Sequence, residues 1–114
     1  MKRLILVAVL VCMVAPAWAA DKNGFYEVYG GVGTASCGSW TKFRKGGGIR
    51  TTQLSSWLNG FLISYNAFTP GVSDIAKGIE IDGREAWVDN YCSQSPLKPI
   101  SSAAFALILQ LKSK

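Results

Sequence analysis

The chain has 114 residues, with 12 Lys and Arg against 7 Asp and Glu, a formal charge of +5, and no histidine. That length holds one small domain. The missing imidazole excludes histidine-based acid–base catalysis and most zinc sites, and so small a basic excess argues against nucleic acid as a partner.

Met1 to Ala19 reads as a secretory signal peptide. Lys2 and Arg3 form a basic start and Leu4 to Ala15 an apolar run; Ala17-Trp18-Ala19 is the small-x-small pattern that places cleavage after Ala19. The run stops at Pro16, short of the about 20 apolar residues a membrane span needs, so no anchor is expected after cleavage. Val11 precedes Cys12 where a lipidation signal calls for a small residue, which argues against a lipoprotein. Loss of residues 1–19 leaves 95 residues, 20–114, as a single helical domain, and removes Lys2 and Arg3, lowering the charge to +3. The expected location is the periplasm or the exterior. Cys37 and Cys92 survive, and two thiols in an exported protein most simply form a disulfide; free or metal-binding thiols are the alternative. A disulfide closing a loop of that span stabilises by about 4 kcal/mol in the chain-entropy model.

From Asp21 to Gly33, Phe25, Tyr26, Val28 and Tyr29 stand among Gly24, Gly30, Gly31 and Gly33. The aromatics favour a short extended piece or a partial helix on the core, the glycines limit its length, and the conformation stays open. Ser36 or Ser39 then caps a short helix that holds Trp40 and Phe43 and ends at Gly46. Lys42, Arg44, Lys45 and Arg50 cluster around Gly46-Gly47-Gly48. Basic shoulders on a flexible triglycine suit phosphate or an acidic protein surface, but the spacing is not that of a phosphate loop, and a solvated connection is the plainer reading.

Thr51 to Asn66 carries the longest periodic signal. Leu54, Trp57, Leu58, Phe61, Leu62 and Tyr65 form one helical stripe, capped by Thr51 or Thr52 and ended by Asn66 with Pro70 beyond. Asn59-Gly60 is a hairpin dipeptide, yet the stripe passes through it without a slip. Helix is therefore expected, with Gly60 as a place of close helix approach. Ala67 to Ile81 is a connection with a turn at Pro70-Gly71 and a single helical turn over Ser73 to Lys77. Connections this long often carry function, which makes Asp74 and Lys77 candidate partner contacts beside the basic cluster.

Asp82, with Glu85 three residues on, has capping-box spacing and predicts a helix start. Trp87 and Tyr91, and Val88 and Cys92, stand four apart on its buried face, with Asp89 and Asn90 mostly off it. The last helix is expected to begin near Pro99 as a first-turn residue. Ile100, Ala103, Ala104, Leu107, Ile108 and Leu111 repeat the helical spacing, while Phe105 and Leu109 widen the apolar surface. A helix this apolar is central to a bundle or forms a dimer contact. The fold expected is mainly α: a small disulfide-stapled bundle of about four helices with a glycine-rich N-terminal segment.

Four pieces of sequence, Cys37-x-x-Trp40, Trp57-Leu58-Asn59-Gly60-Phe61 through Tyr65-Asn66, Trp87-Val88-Asp89-Asn90-Tyr91-Cys92, and Pro96-Leu97, make residues 36–111 resemble the Tai/Rap family. These are periplasmic immunity proteins that neutralise peptidoglycan amidase effectors of type VI secretion. The resemblance implies a small helical bundle with a disulfide, frequent homodimers, and binding near the effector's active-site cleft. The Gly24 to Gly33 segment departs from the helical start that family would have.

Catalysis finds little support in the residues. No nucleophile has an evident base, and Asp82 and Glu85, with Glu80 and Asp89, could offer paired carboxylates but already suit a helix start. No enzyme activity, cofactor or metal site is expected. A binding protein is the remaining class: an amidase inhibitor that uses the Lys42 to Arg50 loop or the 67–81 loop, or an acid-stress chaperone, for which few carboxylates leave less to switch. Trp57, Phe61, Tyr65, Trp87 and Tyr91 read as core by their spacing, while Tyr65, Asn66 and Asn90 are the motif positions placed to meet a partner.

Overall fold

The computed structural model describes residues 20–21 and 23–114; the expected signal peptide, with its expected cleavage after Ala19, lies outside the described residues. Among the described residues there are four α-helices: α1 (Cys37–Gly46), α2 (Ile49–Phe68), α3 (Ile81–Gln94) and α4 (Ile100–Lys112). A 3-10 turn at Val32–Thr34 precedes them, and the one β-type pairing is an isolated bridge between Ser36 and Pro99. The expected helical bundle is the fold observed.

Ser36 caps α1, its hydroxyl accepting from the Ser39 amide at 3.2 Å, as its type and extended backbone favour. The start of α1 is also tied to the α3–α4 connection. Cys37 N–H donates to the Lys98 carbonyl at 2.8 Å, Gly38 N–H to Pro96 at 2.9 Å, and Ile100 N–H to Ala35 at 2.8 Å. Pro99 accordingly sits one residue ahead of α4, as its N-cap, and not inside the first turn: the next amide is committed to Ala35. Two residues, Gly47 and Gly48, join α1 to α2. Both combine positive φ with ψ near 180°, a region open essentially to glycine alone, and this accounts for the triglycine.

α2 is longer at both ends than its stripe predicts. It starts after Gly48 without a side-chain cap, so neither Thr51 nor Thr52 caps it, and Thr51 instead donates its hydroxyl to the Phe43 carbonyl at 3.0 Å. It runs past Asn66 to Phe68, and the Asn66 side chain accepts from the Ile75 amide at 2.9 Å, holding the following loop. Leu54, Leu58 and Leu62 are buried, with Trp57, Phe61 and Tyr65 partly buried beside them. Gly60 is exposed with nothing near a would-be Cβ, because it lies off that stripe. Close approach belongs to Gly33: a Cβ there would stand 2.7 Å from the Trp57 ring.

The 69–80 connection is held in turns. Val72 N–H donates to Thr69, Lys77 N–H to Asp74 and Ile79 N–H to Ala76, and Asp74 caps locally by accepting from Ala76 N–H, so that a hydrogen-bonded turn, though no helix, spans Asp74 to Lys77. α3 begins after Glu80, and the capping box does not form. Asp82 is in the exposed first turn and Glu85 turns inward to another partner. Val88 and Cys92 are fully buried, and Trp87 stacks on Tyr91 at 5.8 Å.

α4 is the central rod. Ile100, Ala103, Ala104, Leu107, Ile108 and Leu111 are buried, and α1, α2, α3 and the 3-10 turn all pack on it. Its small residues let the other helices come close, and the Cys37–Cys92 disulfide ties α1 to α3 across a sequence separation of 55. The segment left open by sequence is irregular over 25–29, with Tyr26 set against Phe105 at 4.8 Å. Among the described residues no helix is long and apolar enough to cross a membrane.

Candidate partner-binding surfaces

Trp40 and Asp89, two of the motif residues, meet in a seam between α1 and α3, while Trp57, Gly60, Tyr65 and Asn66 lie on α2 away from it and Leu97 stands exposed. Trp40, fully buried, donates its indole N–H to Asp89 Oδ1 at 2.6 Å. One turn along α1, Arg44 reaches the same carboxylate with two donors, Nε to Oδ1 at 3.0 Å and a terminal nitrogen to Oδ2 at 2.9 Å. Its other terminal nitrogen meets Glu85 at 2.6 Å. Spacing explains the convergence: Trp40 and Arg44 are four apart on α1, and Glu85 and Asp89 four apart on α3, so each pair shares a face. The disulfide closes the seam at its other end.

Electrostatics follow from this geometry. Burial alone would push the Asp89 carboxyl up; the hydrogen bonds from Arg44 and Trp40 and the guanidinium charge outweigh it and hold the group below the usual carboxylate range. The Asp89 hydrogen bond, with both carboxylate charges, raises Arg44 above its ordinary value. The Glu85 side chain keeps only 7% of its exposure, so this buried acid has its partner.

Two expectations change here. Arg44 is not a free cation for a partner, because three of its nitrogens are engaged. Asp89 is not off the packed face but is the acceptor on which the seam is built. Of the carboxylates that could have formed a catalytic pair, Glu85 and Asp89 are bound to Arg44, while Glu80 and Asp82 sit exposed at a helix start. No cluster among the described residues could hold a metal ion.

Three exposed surfaces are candidates for a partner, apart from single exposed residues such as Tyr29 and Leu97. The first is the α1–α2 corner, where Lys42, Lys45 and Arg50 project around Gly46 to Gly48 and Arg50 lies over the Phe43 ring at 4.7 Å. Asn90 is exposed next to it and lines, with Thr41, Lys45 and Ser93, a shallow polar depression above the seam. The second is the 69–80 loop. Asp74 and Lys77 are exposed on it, and beneath it Asn59, Asn66 and Arg84 line a small cleft.

The third surface was missed by sequence reasoning. Phe61 on α2 and Phe105 on α4 meet edge to face at 4.9 Å, and with that pair Tyr65, Phe68 and Leu109 line a groove of about 500 Å³, floored by Ile108, with Lys112 at its end. Phe68 is 87% exposed and Leu109 66%. The available signal was the apolar width added by Phe105 and Leu109; the other wall needed Phe68, beyond the end set for α2. Tyr65, singled out as a motif residue near a loop, is in this groove.

In comparisons with known proteins, no family model, no curated protein and no solved structure matches the chain.

Proposed function

We propose that the chain is an exported, non-catalytic binding protein that acts as an immunity-type inhibitor of a peptidoglycan amidase, the activity that its resemblance to the Tai/Rap proteins implies. The observation that supports it most is the seam. The pieces of sequence that carry the resemblance, Cys37-x-x-Trp40 and Trp87 to Cys92 with Pro96, meet as one bonded unit, joined by the disulfide, the Trp40–Asp89 bond and the Gly38–Pro96 bond. Residues bonded in this way specify a rigid scaffold, and the scaffold presents the Lys42, Lys45 and Arg50 corner and the 69–80 loop as contact surfaces. Rigid loops on a stapled core lose little entropy on binding, which suits tight inhibition.

The test is protection. An amidase exported to the periplasm lyses its host, and co-export of this chain should restore growth, with the complex recovered from the periplasmic extract. Continued lysis with the chain present in the periplasm, and no cell-wall hydrolase recovered with it, refutes the proposal. An acid-activated chaperone is the weaker reading. Its switch would rest on few carboxylates, and the disulfide holds α1 to α3 at any pH.

A further inference from the structure

We propose that the groove between α2 and α4 is a docking site for an amphipathic helix of another protein, which carries a carboxylate to pair with Lys112. Two apolar side chains of the groove, Phe68 and Leu109, are left exposed by the bundle, while Phe61, Tyr65 and Phe105 are partly buried. Phe68 and Leu109 stand largely in water on opposite walls while Ile108 closes the floor, and facing apolar walls of this kind are an interaction mark where scattered exposed residues are not.

The form of the occupant follows from hydrogen bonding. Both walls are helices whose backbone groups are already paired, and the Ser64 hydroxyl on the rim donates to the Phe61 carbonyl at 2.8 Å. No strand edge is offered to an extended peptide. A segment entering the groove gains no main-chain bonds from it, which favours one that brings its own, as a helix does. The walls run from Phe61 to Phe68 and from Phe105 to Lys112, each about 10 Å at the helical rise, room for two turns and hence for apolar anchors at i, i+3 or i+4, and i+7.

Charge selects among helices. Lys112 is the one charged side chain on the lining, with Lys114 two residues on, and no carboxylate lines the groove. A partner helix with an acid beside its apolar face is matched; one with a lysine there is opposed. A second copy of this chain offers the same lysine from its own groove. The inference rests on the reading of the chain as a binding protein, but not on the amidase.

The experiment is a titration of the isotope-labelled full chain, disulfide formed, followed by amide chemical shifts. The probes are two leucine-rich helical peptides of about 18 residues, long enough to form a helix, one with a glutamate and one with a lysine polar face. The acidic peptide should shift residues 61–69 and 105–112 saturably and bind at least about tenfold more tightly than the basic one. Lys112→Glu should invert that preference, and Leu109→Glu, at an exposed position, should abolish binding with the melting temperature unchanged. Equal affinities, an unchanged preference in Lys112→Glu, or shifts elsewhere overturn the proposal. So does saturation of the groove by decanoate but by neither peptide, which makes it an acyl site, or self-association with the same footprint. A failed titration alongside intact amidase protection removes the groove alone; a successful one without protection upholds it and removes only the amidase.

Discussion

Replacing Asp89 with alanine tests the seam, and its cost can be worked from the contacts. The change leaves the Trp40 indole N–H, in a residue with no exposure, without an acceptor, which costs about 1–3 kcal/mol. It also frees two Arg44 donors. Because the Asp89 side chain keeps 39% of its exposure and that of Arg44 24%, the ionic part is screened and adds well under about 1 kcal/mol. The sum, about 1–3.5 kcal/mol, corresponds to a melting temperature about 5–25 °C lower for a domain of this size. Asp89→Asn keeps an oxygen for the indole and should cost about half as much. The pH dependence separates charge from hydrogen bonding. Asp89 is held below its unfolded value, so its contribution is complete above about pH 4 and disappears as pH falls through the folded value. Wild type should therefore lose stability on acidification below about pH 4 more steeply than Asp89→Asn does. Urea unfolding of the three proteins between neutral and acid pH measures both effects. Alanine within about 0.5 kcal/mol of wild type, or parallel acid limbs, would refute the reasoning.

Further outcomes follow from individual contacts. Removing the disulfide with Cys37→Ser and Cys92→Ser should cost about 4 kcal/mol in urea unfolding; and because both cysteines are fully buried, reductant should act on the native protein only as fast as it unfolds. Gly33→Ala should destabilise by about 1–3 kcal/mol through its clash with Trp57, whereas Gly60→Ala, on an open helix surface, should stabilise by about 0.5–1 kcal/mol, both read from thermal melts. Asn66→Ala should raise amide exchange across 69–80 by loss of the bond to Ile75, with exchange in α4 unchanged. Reversing Lys42, Lys45 and Arg50 to glutamate should cost about 1–2 kcal/mol, through the lost Arg50–Phe43 contact and the reversed charge in the last turn of α1, with the fold retained, while weakening amidase protection.

Much of the architecture was legible because helical periodicity reports burial directly. The α2 and α4 stripes gave the right core residues, Ser36 is the cap of the two serines the sequence offered, and Cys37 and Cys92 form the bond expected of them. Local signals failed where tertiary partners outbid them. Asp82 and Glu85 have the spacing of a capping box, but the partly buried Arg44 guanidinium on α1 draws Glu85 inward, and nothing local to α3 announces Arg44. For the same reason Arg44 read as a surface cation along with Lys42 and Lys45. Gly60 and Gly33 were not separable by composition, since close approach depends on which side of α2 faces the N-terminal segment. The α2–α4 groove was half legible, in Phe105 and Leu109. Its other wall depended on α2 continuing through Asn66, a residue that normally ends helices and here reaches across to the loop.

The claim on which the functional account depends is that this chain acts by stoichiometric binding and not by turnover, and titrating it into a purified peptidoglycan amidase acting on isolated sacculi tests this most directly. The account predicts that hydrolysis falls linearly to zero at a fixed molar ratio of chain to enzyme, and that the chain alone releases nothing from the sacculi. Hydrolysis unaffected by an excess of the chain, or release of wall fragments by the chain itself, would contradict it.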